Sequence, residues 1–81
     1  VTLQDAVENI DIGGITLIRA AAKNFESTAI VCEISDYDKV ISDLDTNGFV
    51  SESTRKKLAV KAFAKTSEYD AAICNYLKKT I

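Results

Sequence analysis

Histidine is missing from all 81 residues, and its absence excludes Ser-His and Cys-His nucleophilic mechanisms and the HExxH metalloprotease site within this chain. Cysteine is scarce. Cys32 and Cys74 stand far apart without a CxxC pair, which suits neither a disulfide framework nor a zinc site, and both read as small buried thiols. The three glycines form neither a GxGxxG fingerprint nor a P-loop. No apolar run approaches the length of a bilayer span, and the amino terminus lacks the basic and apolar regions of a signal peptide. No membrane association is expected, and the cytosol is the default location. A formal net charge of −2 leaves little for a nucleic-acid backbone to bind. The one basic cluster, Arg55-Lys56-Lys57, falls in an expected helix, so nucleic acid is not an expected partner. Methionine is absent as well, including at position 1, which reads as a piece excised from a longer protein.

What is present describes a globular object. A hydrophobic content of 47% with 27% charged residues argues against wholesale disorder. The length allows one domain at most, with a modest core. Neither an internal repeat nor a linker nor a low-complexity segment is evident.

Thr2 can cap a first short helix, with Asp5 three residues on and Leu3, Ala6, Val7 and Ile10 as its apolar face, stopping at the glycines. A second helix is expected from just after Gly14 to Lys23, a run without Gly or Pro that contains Ala20-Ala21-Ala22. Ser27 to Ile34 is rich in β-branched residues and short enough for a buried strand of a parallel sheet. Ser35 resembles an N-cap opening a third helix, whose Val40, Ile41 and Leu44 face inward and which ends near Asp45. From about residue 52 to 79 no breaker interrupts an apolar stripe that includes Leu58, Ala62, Phe63, Tyr69, Ile73, Tyr76 and Leu77. This predicts one long helix needing cover from the rest of the domain or from a partner. Tyr69 and Tyr76 read as interface or core aromatics.

The segment Val7 to Asn24, VENIDIGGITLIRAAAKN, carries the chemistry. Gly13 and Gly14 let a ligand come close to backbone amides. The first amides of a following helix point back toward Asp11 and suit a carboxylate, a phosphate or a polarised carbonyl oxygen. Thr16, Arg19 and Lys23 share one helical face, while Ile15, Ile18 and Ala22 share another. The plain alternative is a capping aspartate, glycines that end the preceding helix and a solvated basic face.

A competing motif lies at 43–54. Asp43, Asp45, Asn47, Gly48 and Val50 match an EF-hand loop at positions one, three, five, six and eight. Thr54, however, stands where a bidentate glutamate belongs, and no second loop accompanies it. A polar turn between two helices is preferred to calcium binding, and no metal ligands are assigned.

The residues Val7-Glu8-Asn9-Ile10-Asp11-Ile12-Gly13-Gly14 and Thr16 to Asn24 closely resemble the bifunctional purine-biosynthesis enzymes that combine AICAR transformylase with IMP cyclohydrolase. Val31-Cys32-Glu33, Asp36-Tyr37, Ser53-Thr54-Arg55, Lys61-Ala62-Phe63 and Glu68 to Ile73 extend the resemblance over nearly the whole chain. Phe25 and Lys65-Thr66-Ser67 depart from it at positions where histidine-containing variants are common.

The resemblance implies an α/β fold, in which residues 1–81 form the later part of a cyclohydrolase domain like methylglyoxal synthase. That part comprises about four helices and one strand near 27–34 of a parallel sheet, with the phosphate-binding half upstream and the transformylase downstream. It also implies closure of formylated aminoimidazole carboxamide ribonucleotide (FAICAR) to IMP with loss of water. Lys23 falls on the proton donor or acceptor, Asp11 on the aspartate that contacts the base, and Ile12 and Gly13 on residues lining the base through their backbones. The cyclohydrolase step takes no cofactor, whereas the transformylase takes 10-formyltetrahydrofolate. A homodimer and a cytoplasmic location are implied. Burial or charge can tune a lysine toward this task, with Asp11 expected close enough to act against that tuning. The chain alone is expected to be inactive. The alternative is a non-catalytic helical packing or dimerisation module.

Overall fold

A computed structural model describes residues 2–81, whose regular structure is entirely helical. The helices are α1 (Leu3–Glu8), α2 (Ile12–Lys23), α3 (Tyr37–Asn47) and α4 (Glu52–Lys78), and a 3₁₀ turn at Ile34–Asp36 leads into α3. Local capping chemistry sets three of the starts. Thr2 Oγ1 accepts the Asp5 N–H at 3.1 Å, Asp11 Oδ1 accepts the Gly14 N–H at 2.8 Å, and Ser51 Oγ accepts the Thr54 N–H at 3.2 Å. Helix α3 has no side-chain cap, because Ser35 is taken into the 3₁₀ turn instead of serving as an N-cap. It runs past Asp45 to Asn47 and stops at Gly48. That glycine has a φ of 78°, a left-handed conformation that costs glycine least, and its N–H bonds the Leu44 carbonyl.

The expected α/β class, with one strand near 27–34 among its helices, is overturned. The structure is 74% helical, and no strand occurs among the described residues. At the position assigned to that strand, the N–H groups of Ser27 and Thr28 both turn back to the Asn24 carbonyl. Residues 28–32 then continue without regular structure. A strand exists through its ladder, and among the described residues no second extended segment lies beside this one to complete it. Its apolar side chains are used differently, as Ile30 and Cys32 pack against the small core.

That core is an alanine seam. Ala22 of α2 meets Ala59 and Ala62 of α4, with Ala22 and Ala62 fully buried, and Ile18, Phe25, Ile30 and Cys32 close around them. Side chains this short let two helices approach closely. Polar ties fix the connections to α4. Arg55 donates from Nε to the Phe25 carbonyl at 2.8 Å and from its guanidinium to the Val50 carbonyl, holding the turn after α2 and the loop before α4. Lys61 Nζ lies 2.7 Å from Asp36 and 3.7 Å from Glu33. Asp36, with help from Glu33, holds that ammonium above the ordinary lysine range. Phe25 near Arg55 and Ala22 near Ala59 make α2 and α4 antiparallel.

The body is long and thinly covered. Helix α4 extends about 40 Å at 1.5 Å per residue. The radius of gyration of 16.0 Å compares with about 12 Å for a compact chain of this length. The exposed surface of 5913 Å² exceeds the roughly 4,800 Å² of a typical monomer of this mass. Ile41 and Leu44, expected to face inward, are 54% and 47% exposed, because nothing among the described residues packs on that face of α3. Cys74 is exposed and Cys32 only half-buried, which corrects the reading of both as buried thiols. No described helix is long and apolar enough to cross a membrane.

Candidate functional site

The start of α2 is built by a break in the chain. Helix α1 closes on Asn9, whose side-chain Nδ2 also donates to the Asp5 carbonyl at 2.8 Å, and Ile10 turns its N–H back to Val7. Asp11 then takes an extended conformation as the N-cap of α2. The glycines therefore do not end the first helix, as expected, but sit inside the first turn of the second.

A helix start leaves its leading N–H groups without intrahelical partners. Here two are satisfied from outside the ladder. The Asp11 N–H donates to the Tyr69 hydroxyl at 2.8 Å, and the Gly14 N–H donates to Asp11 Oδ1. The N–H groups of Ile12 and Gly13 have no partner among the described residues. Both residues are exposed, and no Cβ screens the amide at position 13. Two donors at the positive end of a 12-residue helix face open space beside a carboxylate that keeps one oxygen, Oδ2, outside the cap bond. Such an arrangement can hold a polarised carbonyl through backbone donors while the carboxylate accepts from an N–H of the same ligand.

Lys23 lies in the last turn of α2, exposed and without a salt bridge among the described residues. Asp11, Ile12 and Gly13 come together, but Lys23 does not join them, since twelve residues of helix put its Cα about 18 Å from that of Asp11. The expectation that Asp11 opposes the tuning of Lys23 is corrected, because exposed charges so far apart are screened at ordinary salt. Thr16 and Arg19 share the exposed side of α2 with Lys23. Thr16 turns its hydroxyl back to the Ile12 carbonyl at 2.8 Å, and Arg19 lies 5.6 Å from the centroid of the Phe63 ring.

Tyr69 was legible only as an aromatic on the α4 stripe. Its ring closes one side of a groove of about 240 Å³ between α1 and α4, which also includes Val7, Ile10, Ile73 and Tyr76. The bond to Asp11 spans 58 residues of sequence and left no local signal.

The 43–54 segment is a helix stop. Asp43, Asp45 and Asn47 belong to α3 itself, so their side chains fan around a helix instead of converging on a loop centre. Asp43 is buried, and its oxygens are engaged. Oδ2 accepts the Ser51 N–H at 3.0 Å, and Oδ1 meets Lys39 Nζ at 3.1 Å. The Thr54 hydroxyl and the Ser51 N–H, with Lys39, hold this carboxyl well below the usual carboxylate range. The available clue was an aspartate eight residues before the cap of a long helix, which the calcium-loop pattern had absorbed.

Comparison with known proteins places these observations in a family. The chain is 53% identical over 79 residues to the bifunctional purine biosynthesis protein PurH of Bacillus mycoides, which covers 98% of this chain and 16% of that protein. PurH proteins of Bacillus cereus strain AH187 and Bacillus anthracis strain CDC 684 are likewise 53% identical over 77 residues, covering 95% of this chain and 15% of theirs. The chain thus spans about a sixth of the length of the curated relatives it matches. The family described as AICARFT/IMPCHase bienzyme matches residues 21–81, from just before Lys23 through the whole of α4, and the chain belongs to that family.

Proposed function

We propose that this chain supplies the base-holding and proton-transfer part of an IMP cyclohydrolase site, which closes FAICAR to IMP. The carrying observation is the pair of unpartnered N–H groups at Ile12 and Gly13, set beside the Asp11 carboxylate. In the closure, the carboxamide nitrogen bonds to the formyl carbon and gives up one proton, the formamido nitrogen gives up a second as its double bond to that carbon forms, and the formyl oxygen takes up both as its bond to carbon breaks and it leaves as water. Ile12 and Gly13 donate to an oxygen of the base, and Asp11 accepts from one of its N–H groups. Lys23 is the proton-transfer group. In this reading Asp11 acts on binding and Lys23 on the chemical step. The upstream residues that would hold the phosphate, the transformylase with its 10-formyltetrahydrofolate, the homodimer and the cytoplasmic location belong to this reading of the whole enzyme. The exposed apolar face of α3 is consistent with further polypeptide packing there.

The test is ring closure followed by ultraviolet absorbance in a full-length relative carrying this 81-residue segment. Lys23→Ala is expected to lower kcat by about a hundredfold or more, the usual scale for a positioned acid or base. An unchanged kcat with the fold intact would return Lys23 to a solvated helix end.

A further inference from the structure

We infer that Tyr69 is a positioning residue for Asp11, an inference that rests on the reading of Asp11 as the base-contacting carboxylate. The argument begins with where α2 is held. Its buried contact with α4 is Ala22, near its last turn, and the Arg55 tie lies beyond that at Phe25. The opposite end has little to hold it. Ile12 is 67% exposed and Gly13 offers no side chain, with Gly14 and Ile15 only half-buried. Antiparallel packing brings Tyr69 of α4 alongside this free end, and its hydroxyl accepts the Asp11 N–H at 2.8 Å. Among the described residues this is the hydrogen bond that joins the N-cap to α4.

The ring of Tyr69 is itself placed by the groove it shares with Val7, Ile10, Ile73 and Tyr76. The hydroxyl is therefore a fixed acceptor at a fixed height on α4. It pins the Asp11 backbone, and the bond from the Gly14 N–H then orients the carboxylate. Tyr69 touches no ligand in this scheme; it acts through the Asp11 carboxylate, by fixing the backbone from which that side chain is oriented.

The experiment uses the same full-length relative carrying this segment, with FAICAR as the varied substrate. Tyr69→Phe keeps the ring in the groove and removes only the acceptor. It is expected to raise KM about three- to tenfold, the scale of one ordinary hydrogen bond, and to leave kcat within about twofold. Tyr76→Phe, which changes a hydroxyl in the same groove, is expected to leave both constants unchanged. Asp11→Ala is measured alone and combined with Tyr69→Phe. If Tyr69 acts through Asp11, the double variant matches Asp11→Ala. An unchanged KM for Tyr69→Phe while Asp11→Ala raises it would overturn this inference and leave the base-contact reading standing. Additive losses would overturn it as well, by showing that Tyr69 acts elsewhere. An unchanged KM for Asp11→Ala would remove the base-contact reading itself, and the positioning role with it.

Discussion

The adjacent glycines at the start of α2 look alike in sequence, yet replacing each by alanine should have different consequences. A Cβ built on Gly13 meets only Asp11 Oδ1, at 3.8 Å, an ordinary van der Waals contact. A Cβ built on Gly14 lands on the Asp11 carboxylate, overlapping Oδ2 and approaching Cγ to 3.1 Å. The obstructing group is the tip of a short side chain, so the backbone need not shift; the carboxylate rotates away and the cap bond is lost. Either substitution brings the general advantage of alanine over glycine in a helix, about 0.5–1 kcal/mol, which cancels when the two variants are compared. What remains is the aspartate cap, about 1 kcal/mol. Thermal unfolding followed by circular dichroism should therefore place Gly13→Ala about 4–8 °C above Gly14→Ala, the shift that 1 kcal/mol produces in a domain of this size. Asp11→Ala added to Gly14→Ala should cost nothing more. Equal midpoints for the two alanine variants, or a higher one for Gly14→Ala, would refute the geometry of the cap. Gly13→Ala carries a second consequence in the full-length setting, since its methyl group screens the amide proposed to meet the base. Stability should hold or rise while nucleotide binding weakens.

The remaining expectations concern the seam and the buried carboxylate. Ala62→Leu forces a larger side chain into a fully buried position between α2 and α4, and should destabilise by about 1–3 kcal/mol in urea unfolding; the same change at exposed Ala64 should be near neutral. Asp43→Asn should lower the melting temperature at pH 7. The carboxyl is held below its ordinary value in the folded chain, so its contribution is full above about pH 4 and is lost as the pH falls toward the folded value. The gap between native and Asp43→Asn melting temperatures should therefore narrow between about pH 5 and pH 2, and a gap independent of pH would remove the charge from the explanation.

What could be read in advance depended on how far the determining contact lies along the chain. Thr2 and Asp11 cap helices through bonds to residues three positions away, and such bonds are visible in the sequence itself, although the same spacing misled at Ser35. The split of α2 into a buried line through Ile18 and Ala22 and an exposed line through Thr16, Arg19 and Lys23 follows from period alone. The segment at 27–34 was misread because β-branched composition describes one half of a ladder, and a ladder needs a neighbour. Ile41 and Leu44 failed for a related reason, as an amphipathic pattern states which face seeks cover, not whether cover is there. In the site, a helix start aimed back at Asp11 was legible, but it was expected after Gly14 and lies at Ile12, and the division of the leading amides was not legible. It depends on a phenol 58 residues away, where phenylalanine would have satisfied the same pattern. Asp43 was masked by a motif whose spacing it fitted by coincidence.

The uneven burial along α4 implies two tiers of local stability. Full burial on this helix runs from Thr54 to Thr66 and then ceases, leaving Tyr69 and Ile73 half-covered by α1. Segments with few buried contacts open at lower free energy than the rest, so α1 and the far half of α4 form a unit that exchanges its amide hydrogens first. Because the Tyr69 hydroxyl is bonded to the Asp11 amide, each such opening also releases the front of α2. Any molecule that needs that front in place draws on the closed population alone, and its binding slows hydrogen exchange some 60 residues downstream, in a stretch of helix it never touches.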